Sequence, residues 1–233
     1  TTAITMVARH ISPWLAHHTG APLQPGDEIL TTDHEYGAME RTWRYVCQPL
    51  GVKFTNQPIP LPVTDPVDFV DLFWRGVTSR TRLIFISHIT SPTALIFPVR
   101  EICQRARAAG IPCIVDGAHA PGQIPQNLAE IGADIYTGAC HKWLMAPKGS
   151  AFLYVKRELQ PGLDPLVVSL GYERAQPGPS QFIDYQEWQG TRDLAAFLSV
   201  PAAIDFQVEN HWDAVRDRGH HLTVLVGHRL GVE

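Results

Sequence analysis

Apolar and polar positions along this chain switch repeatedly between helical and extended spacing, and that switching predicts an α/β architecture. Ile4, Met6, Val7, Ile11 and Trp14 recur at helical intervals behind Thr1-Thr2-Ala3. A turn-rich linker over 23–27 leads to a short buried strand, Glu28 to Thr32, and Met39, Trp43, Val46 and Leu50 then mark a second helix. Val52 opens another strand that runs out in Pro58, Pro60 and Pro62, and 67–77 return to helical spacing. Arg82 to Ser87 is almost continuously apolar, as expected of a strand covered on both faces. Residues 99–109 read as a helix closed by Gly110. Apolar approaches follow at 111–115 and 133–137, then a strand at 151–155. Residues 160–179, rich in Pro, Gly and Leu, read as an extended loop, and 194–208 and 212–230 as helical segments. The alternation predicts a three-layer sandwich: a mainly parallel sheet with helices on both faces and right-handed crossovers.

Two of these approaches deliver reactive side chains. The first ends in Asp116, inside DGAHAPG, and the second leads into Gly138-Ala139-Cys140-His141-Lys142. The chain between them is long enough for one strand end, a crossover and the next strand end. Acid and amine therefore converge on one rim of the sheet. A lysine amine forms a Schiff base with an aldehyde, and a carboxylate keeps a pyridine nitrogen protonated. Together they point to pyridoxal phosphate. An arbitrary Asp and Lys would more simply be a turn cap and a solvated cation. Lys142, however, sits among His141, Trp143, Leu144 and Met145, and an apolar setting lowers an amine's pKa toward reactivity. Lys148, in a Pro-Lys-Gly turn, is the spare amine and reads as solvated.

The segments DGAHAPG, TGACHKWL and APKG, with DHEYGA upstream, resemble in content and order the class V aminotransferase family, and most nearly its isopenicillin N epimerase-like members. The resemblance implies the large, cofactor-binding domain of a fold-type I protein over residues 1–233. It also implies a homodimer and chemistry at the Cα of an amino-acid substrate. Both ends of the chain look cut against the family, so an N-terminal segment and a C-terminal small domain are expected beyond it. Cysteine desulfurase-like chemistry and a truncated, non-catalytic cofactor module are the alternatives within that reading. A nucleotide-binding domain is disfavoured because no GxGxxG or GxxxxGK[ST] pattern joins a first strand to a helix.

The same resemblance assigns expected roles. Lys142 anchors the cofactor and, once freed, acts as acid and base. Asp116 holds the ring nitrogen and His119 the ring oxygen, while His34 or Tyr36 stacks on the ring face. Thr1 or Thr2, at a helix start whose free N–H groups suit an anion, joins His141 on the phosphate. Thr191 reaches the phosphate of a second copy, with Arg192 as a further anion anchor. Two departures stand out. Ala139 occupies the position where relatives carry a hydroxyl or amide, and no asparagine lies near Pro92, leaving Thr90 or Ser91 to substitute.

Composition narrows the setting. In 233 residues, 19 basic side chains against 23 acidic ones give no electrostatic case for nucleic acid. No apolar run reaches the roughly 18 residues of a membrane helix. Cys47, Cys103, Cys113 and Cys140 are scattered without metal or CxxC spacing, which suits buried thiols in a reducing, cytoplasmic compartment. The pairs His17-His18 and His220-His221 lack supporting ligand spacing, so no metal is expected.

Overall fold

Strands that are each followed by a returning helix run parallel, and the first part of this chain obeys that pattern. The computed structural model describes residues 1–62 and 65–230. In chain order come α1 (Thr2–Thr19), β1 (Glu28–Thr32), α2 (Gly37–Leu50), β2 (Lys53–Gln57), α3 (Pro66–Trp74) and β3 (Thr81–Ser87). Then follow α4 (Val99–Ala108), β4 (Cys113–Asp116), α5 (Leu128–Ile131), β5 (Ile135–Ala139) and β6 (Ala151–Val155). The chain continues through α6 (Gln181–Glu187), α7 (Ala195–Leu198), α8 (Val200–Glu209) and α9 (Trp212–Leu230). The sheet order is β2-β1-β3-β4-β5-β6. All neighbours are parallel except β5 and β6.

The unbroken apolar run of β3 is explained by its two neighbours. Leu83 and Phe85 face a core shared with Ile4, Ile11 and Trp14 of α1 and Met39 and Trp43 of α2. Ile84 and Ile86 face the opposite core, with Phe69 and Phe73 of α3 and Ile102 and Ala106 of α4. Side chains alternate across a strand, so a strand buried on both faces cannot afford a polar position until its end. Each such side chain, fully removed from water, contributes about 1.5–3 kcal/mol. The expected three layers are therefore present, with the sheet in the middle.

One expectation needs correction. The helix expected over 194–208 is divided at Ser199. Pro201, in the first turn of α8, has no N–H to continue the preceding turn and its ring crowds the carbonyl behind it. Beyond the loop expected over 160–179 lies a short helix that the spacing did not signal, α6, started by Ser180, whose hydroxyl accepts from the Ile183 N–H at 3.3 Å.

The parallel strands end on one edge, where Thr32, Ser87, Asp116 and Ala139 are the last residues of β1, β3, β4 and β5. Ser87 and Asp116 are register partners. In open α/β sheets, ligands bind outside this carboxyl edge. Among the described residues, no helix is long and apolar enough to cross a membrane, and no cluster of three potential metal ligands occurs.

Candidate active site

The cleft at this edge is lined by Tyr36, Ser87, Ile89, Ser91, Asp116, Ala118, His119 and Lys142. Asp116 reaches it directly from β4. Gly117 continues the backbone, its N–H donating to the Thr137 carbonyl at 2.8 Å, and its missing Cβ leaves room for the Tyr136 ring. Asp116 Oδ1 accepts from the Ala118 N–H at 3.0 Å and from Thr137 Oγ1 at 3.4 Å, while Oδ2 has no donor among the described residues. Burial pushes this carboxyl above the ordinary aspartate range. The Ala118 N–H, the Thr1 amino group, Lys142 and Thr137 oppose the rise.

Lys142 is presented by a tight turn after β5. Met145 N–H donates to the Lys142 carbonyl at 3.1 Å, Ala146 N–H returns to the Cys140 carbonyl at 2.9 Å, and Met145 adopts φ 65°. Gly122 has its empty Cβ position 2.4 Å from the Trp143 carbonyl oxygen, so only glycine fits there. That carbonyl also accepts from Gln207 Nε2 of α8 at 2.8 Å, and Trp212 Nε1 of α9 donates to the Gly122 carbonyl at 2.7 Å. The C-terminal helices thus hold the lysine turn.

The protonation of Lys142 follows from its partners. Its Nζ lies 2.8 Å from His119 Nε2, and Trp143 Nε1 lies 3.3 Å from His119 Nδ1. An indole N–H can only donate, so Nδ1 carries the lone pair and the imidazole proton sits on Nε2. In that tautomer Nε2–H faces Nζ, an arrangement that favours the amine over the ammonium. Burial lowers the Lys142 pKa in the same sense, against the opposing charge of Asp116. Burial, and then the neighbouring lysine, likewise lower that of His119. The Lys142 amine thus lies 5.9 Å from the centroid of the Tyr36 ring, in a cleft shared with an acid that keeps a free oxygen.

Of the two aromatic candidates, only Tyr36 faces the cleft. His34 is 7% exposed, with Nε2 on the Ile59 carbonyl at 2.7 Å, Nδ1 on Thr93 Oγ1 at 3.0 Å, and its ring edge-on to Phe97. Both nitrogens are committed to packing, so of the two side chains Tyr36 is the one that lines the cleft. Similarly Ser91 lines the cleft, whereas Thr90 is buried and bonds Thr93 and the Leu95 N–H. Thr1 and Thr2 are exposed at the start of α1. His141 is exposed beside the lysine and donates from Nδ1 to the Ser150 carbonyl at 3.2 Å. Thr191 and Arg192 are exposed in the segment after α6 and are not among the residues that line the cleft. Arg192 instead donates to Gln189 and covers the Phe197 ring.

The motifs alone did not single out Glu35, Ser87 or Trp143 for a role. Glu35 lay unremarked inside DHEYGA, and Trp143 directly follows the lysine. Behind the cleft, Tyr136 accepts from Gln126 Nε2 at 2.5 Å and bonds His88 Nδ1 at 2.8 Å. Burial drives His88 down to about 4 and raises the Tyr136 phenol. Both stay neutral, and the phenol donates to Nδ1.

Comparison with known proteins agrees with this geometry. The family model described as aminotransferase class-V matches residues 1–231. The isopenicillin N epimerase of Amycolatopsis lactamdurans is 36% identical over 240 residues, spanning 99% of this chain and 58% of that protein. Among solved structures, a cysteine desulfurase from Escherichia coli superposes with a TM-score of 0.80 at 24% identity, over 100% of this chain and 56% of that one. A variant of the C-DES lyase, solved with glycine covalently linked to its PLP cofactor, gives 0.73 at 20% identity, over 92% of this chain and 57% of that one. This chain therefore spans somewhat more than half the length of each of these three proteins. It belongs to the aminotransferase class-V family.

Proposed function

We propose that this chain forms the cofactor-holding part of a pyridoxal phosphate enzyme acting at the Cα of an amino-acid substrate, in the manner of an isopenicillin N epimerase. The observation that carries the reading is the Lys142 amine, held by His119 near the Tyr36 ring, in one cleft with the free Oδ2 of Asp116. An amine, an acid and an aromatic face are the donor set that pyridoxal phosphate requires, so the residues present fit the cofactor. When bound, the cofactor supplies an aldehyde for covalent capture and an electron sink for charge developing at Cα.

The chain's own residues do the rest. Oδ2 of Asp116 accepts the ring N–H, and its burial makes that bond stronger than it would be in water. Tyr36 covers one ring face. His119, with its proton on Nε2, donates to whichever acceptor replaces the Lys142 amine, which suits the ring oxygen. The start of α1 with Thr1 and Thr2, the Nε2 of His141 and a second copy's Thr191 offer donors to the phosphate. Lys142 would hold the cofactor's aldehyde carbon, and its amine would be the group to take or return a proton at Cα.

A homodimer in a reducing, cytoplasmic setting belongs to the same proposal. In its support, α7, α8 and α9 bury none of their residues and expose Leu198, Val208 and Leu230, while all four cysteines are buried and unpaired. That burial also disfavours the desulfurase alternative for these four thiols, since such chemistry needs a mobile nucleophilic cysteine.

The test is the visible spectrum of purified protein with pyridoxal phosphate, followed by borohydride reduction and peptide mapping. A screen of amino acids for exchange of the Cα proton completes it, with sedimentation of the same sample to count copies. A bound band reduced onto Lys142, with exchange in a dimer, is expected. A bound band without any exchange would favour the non-catalytic module. Failure to label Lys142 in folded protein would remove the reading.

Trp143→Phe provides a sharper check on the amine. Without the indole donor His119 can take either tautomer, and Lys142 regains a proton acceptor. The rate at which Lys142 captures added cofactor is expected to fall about tenfold at neutral pH, its pH profile moving up by about one unit. Stopped-flow absorbance reads both, and an unmoved profile would show that Trp143 does not set the tautomer.

A further inference from the structure

Glu35 has no part in the roles above, yet its carboxyl is 6% exposed beside the cleft. Its Oε1 accepts from Thr32 Oγ1 at 2.9 Å and from the Ser87 N–H at 3.2 Å, and its Oε2 lies 2.5 Å from Ser87 Oγ. Ser87 is the register partner of Asp116. Register partners on parallel strands turn their side chains to the same face, and both of these line the cleft. One hydroxyl therefore joins Glu35 to the cleft wall beside Asp116, and the next residue along its own backbone is Tyr36. The groups facing Glu35 are neutral Thr32 from β1, neutral Ser87 from β3 and charged Asp116 from β4. Lys142 and the Thr1 end of α1 act on Asp116.

We propose that Glu35 is a positioning residue of the cofactor site, coupling release of its own proton, through Ser87, to occupation of the ring-nitrogen position at Asp116. The inference rests on the pyridoxal phosphate reading above.

The geometry makes the coupling specific. When Glu35 carries its proton on Oε2, it donates to Ser87 Oγ, and the serine hydrogen turns elsewhere, toward the cleft. When Glu35 is ionised it takes the serine hydrogen, and the Ser87 lone pairs face the cleft instead. Burial lifts Glu35 to about 7, against the bonds from Ser87 and Thr32 and with a smaller push from Asp116, so both states are populated near neutrality. A ligand that brings a positive N–H to Asp116 favours the ionised form. The pKa in the occupied site then lies below that in the empty one. Affinity is gained as pH rises through about 7 and lost as it falls, and binding near neutrality releases part of a proton to solvent.

Pyridoxine 5′-phosphate is the appropriate probe, because it carries the ring nitrogen and phosphate but no aldehyde for Lys142. Its affinity would be followed by tryptophan fluorescence from about pH 5.5 to about pH 8.5, for wild type, Glu35→Gln and Ser87→Ala. The ratio of wild-type to Glu35→Gln affinity is expected near one at the acid end, rising to about tenfold at the alkaline end. Calorimetry at neutral pH in two buffers of different ionisation heat is expected to show more protons released by wild type than by Glu35→Gln. Ser87→Ala removes a donor that favours the ionised form and should move the wild-type inflection to higher pH. A ratio constant across pH, equal proton release, or an unmoved inflection in Ser87→Ala would each overturn the proposal, the last even if Glu35→Gln fails to fold. If folded wild type binds no probe at any pH, the cofactor reading falls and takes this inference with it.

Discussion

Lys142→Ala is expected to lower kcat by at least about 10³-fold while leaving the fold in place. The loss is specific to chemistry for two reasons. Lys142 sits on a surface turn whose bonds come from backbone groups, so truncation opens no cavity in either core. The variant also retains the free Oδ2 of Asp116 and the Tyr36 ring, which are independent of the lysine. Cofactor should still bind non-covalently, without the band that borohydride removes and without label in the peptide containing position 142. His119 loses its Nε2 partner in this variant, and added small amines are expected to restore a fraction of the turnover. Lys148, exposed in its Pro-Gly turn, should not substitute. Wild-type turnover in Lys142→Ala would sink the assignment outright.

Gly117→Ala is expected to destabilise the protein by about 2–4 kcal/mol, although it adds only a methyl group. A Cβ on Gly117 would sit 2.1 Å from both Cζ and the phenol oxygen of Tyr136. That ring is fully buried, stacked on Phe152 at 6.3 Å, and bonded through its hydroxyl to Gln126 and His88. It cannot withdraw without leaving the neutral His88 unpaired in a dry interior, and the backbone cannot withdraw because Gly117 N–H is bonded to Thr137. Urea unfolding would read the loss, and a change below about 1 kcal/mol would show that the turn relaxes at little cost. Gly117 adjoins Asp116, so a shifted turn should also weaken cofactor affinity. Glycine in DGAHAPG is thus required by the ring behind it, as well as by any ligand in front.

Local pattern was enough for most of the fold. A strand covered on both faces must be apolar at every position, and β3 shows this directly. A helix with one buried face must repeat at three and four residues, and α1, α2 and α4 do. Pro201 was visible too, and its effect on the helix expected over 194–208 follows from elementary backbone chemistry. The short helix α6 was less legible, because its elongated surroundings carry Pro and Gly and little periodicity.

The candidate site divides in the same way. Asp116 and Lys142 are legible because one ends β4 and the other follows the end of β5, and a parallel sheet brings such ends to one edge. The choice between His34 and Tyr36, two residues apart on the same loop, was open to the sequence. Only the tertiary structure gives His34 two buried partners, Thr93 and the Ile59 carbonyl, from distant parts of the chain. The same holds for the tautomer of His119 beside Lys142. It depends on an indole reaching a histidine 24 positions away, and no spacing rule encodes that bond. Glu35 meets Ser87 across 52 positions and is joined to the Asp116 edge only by the β3–β4 register. The sequence by itself determined the family of the fold and the acid–amine pair, since both follow from period and order along the chain. The tertiary structure decided which aromatic, which tautomer and which buried proton, since each depends on side chains that pairing and packing alone bring within hydrogen-bond reach.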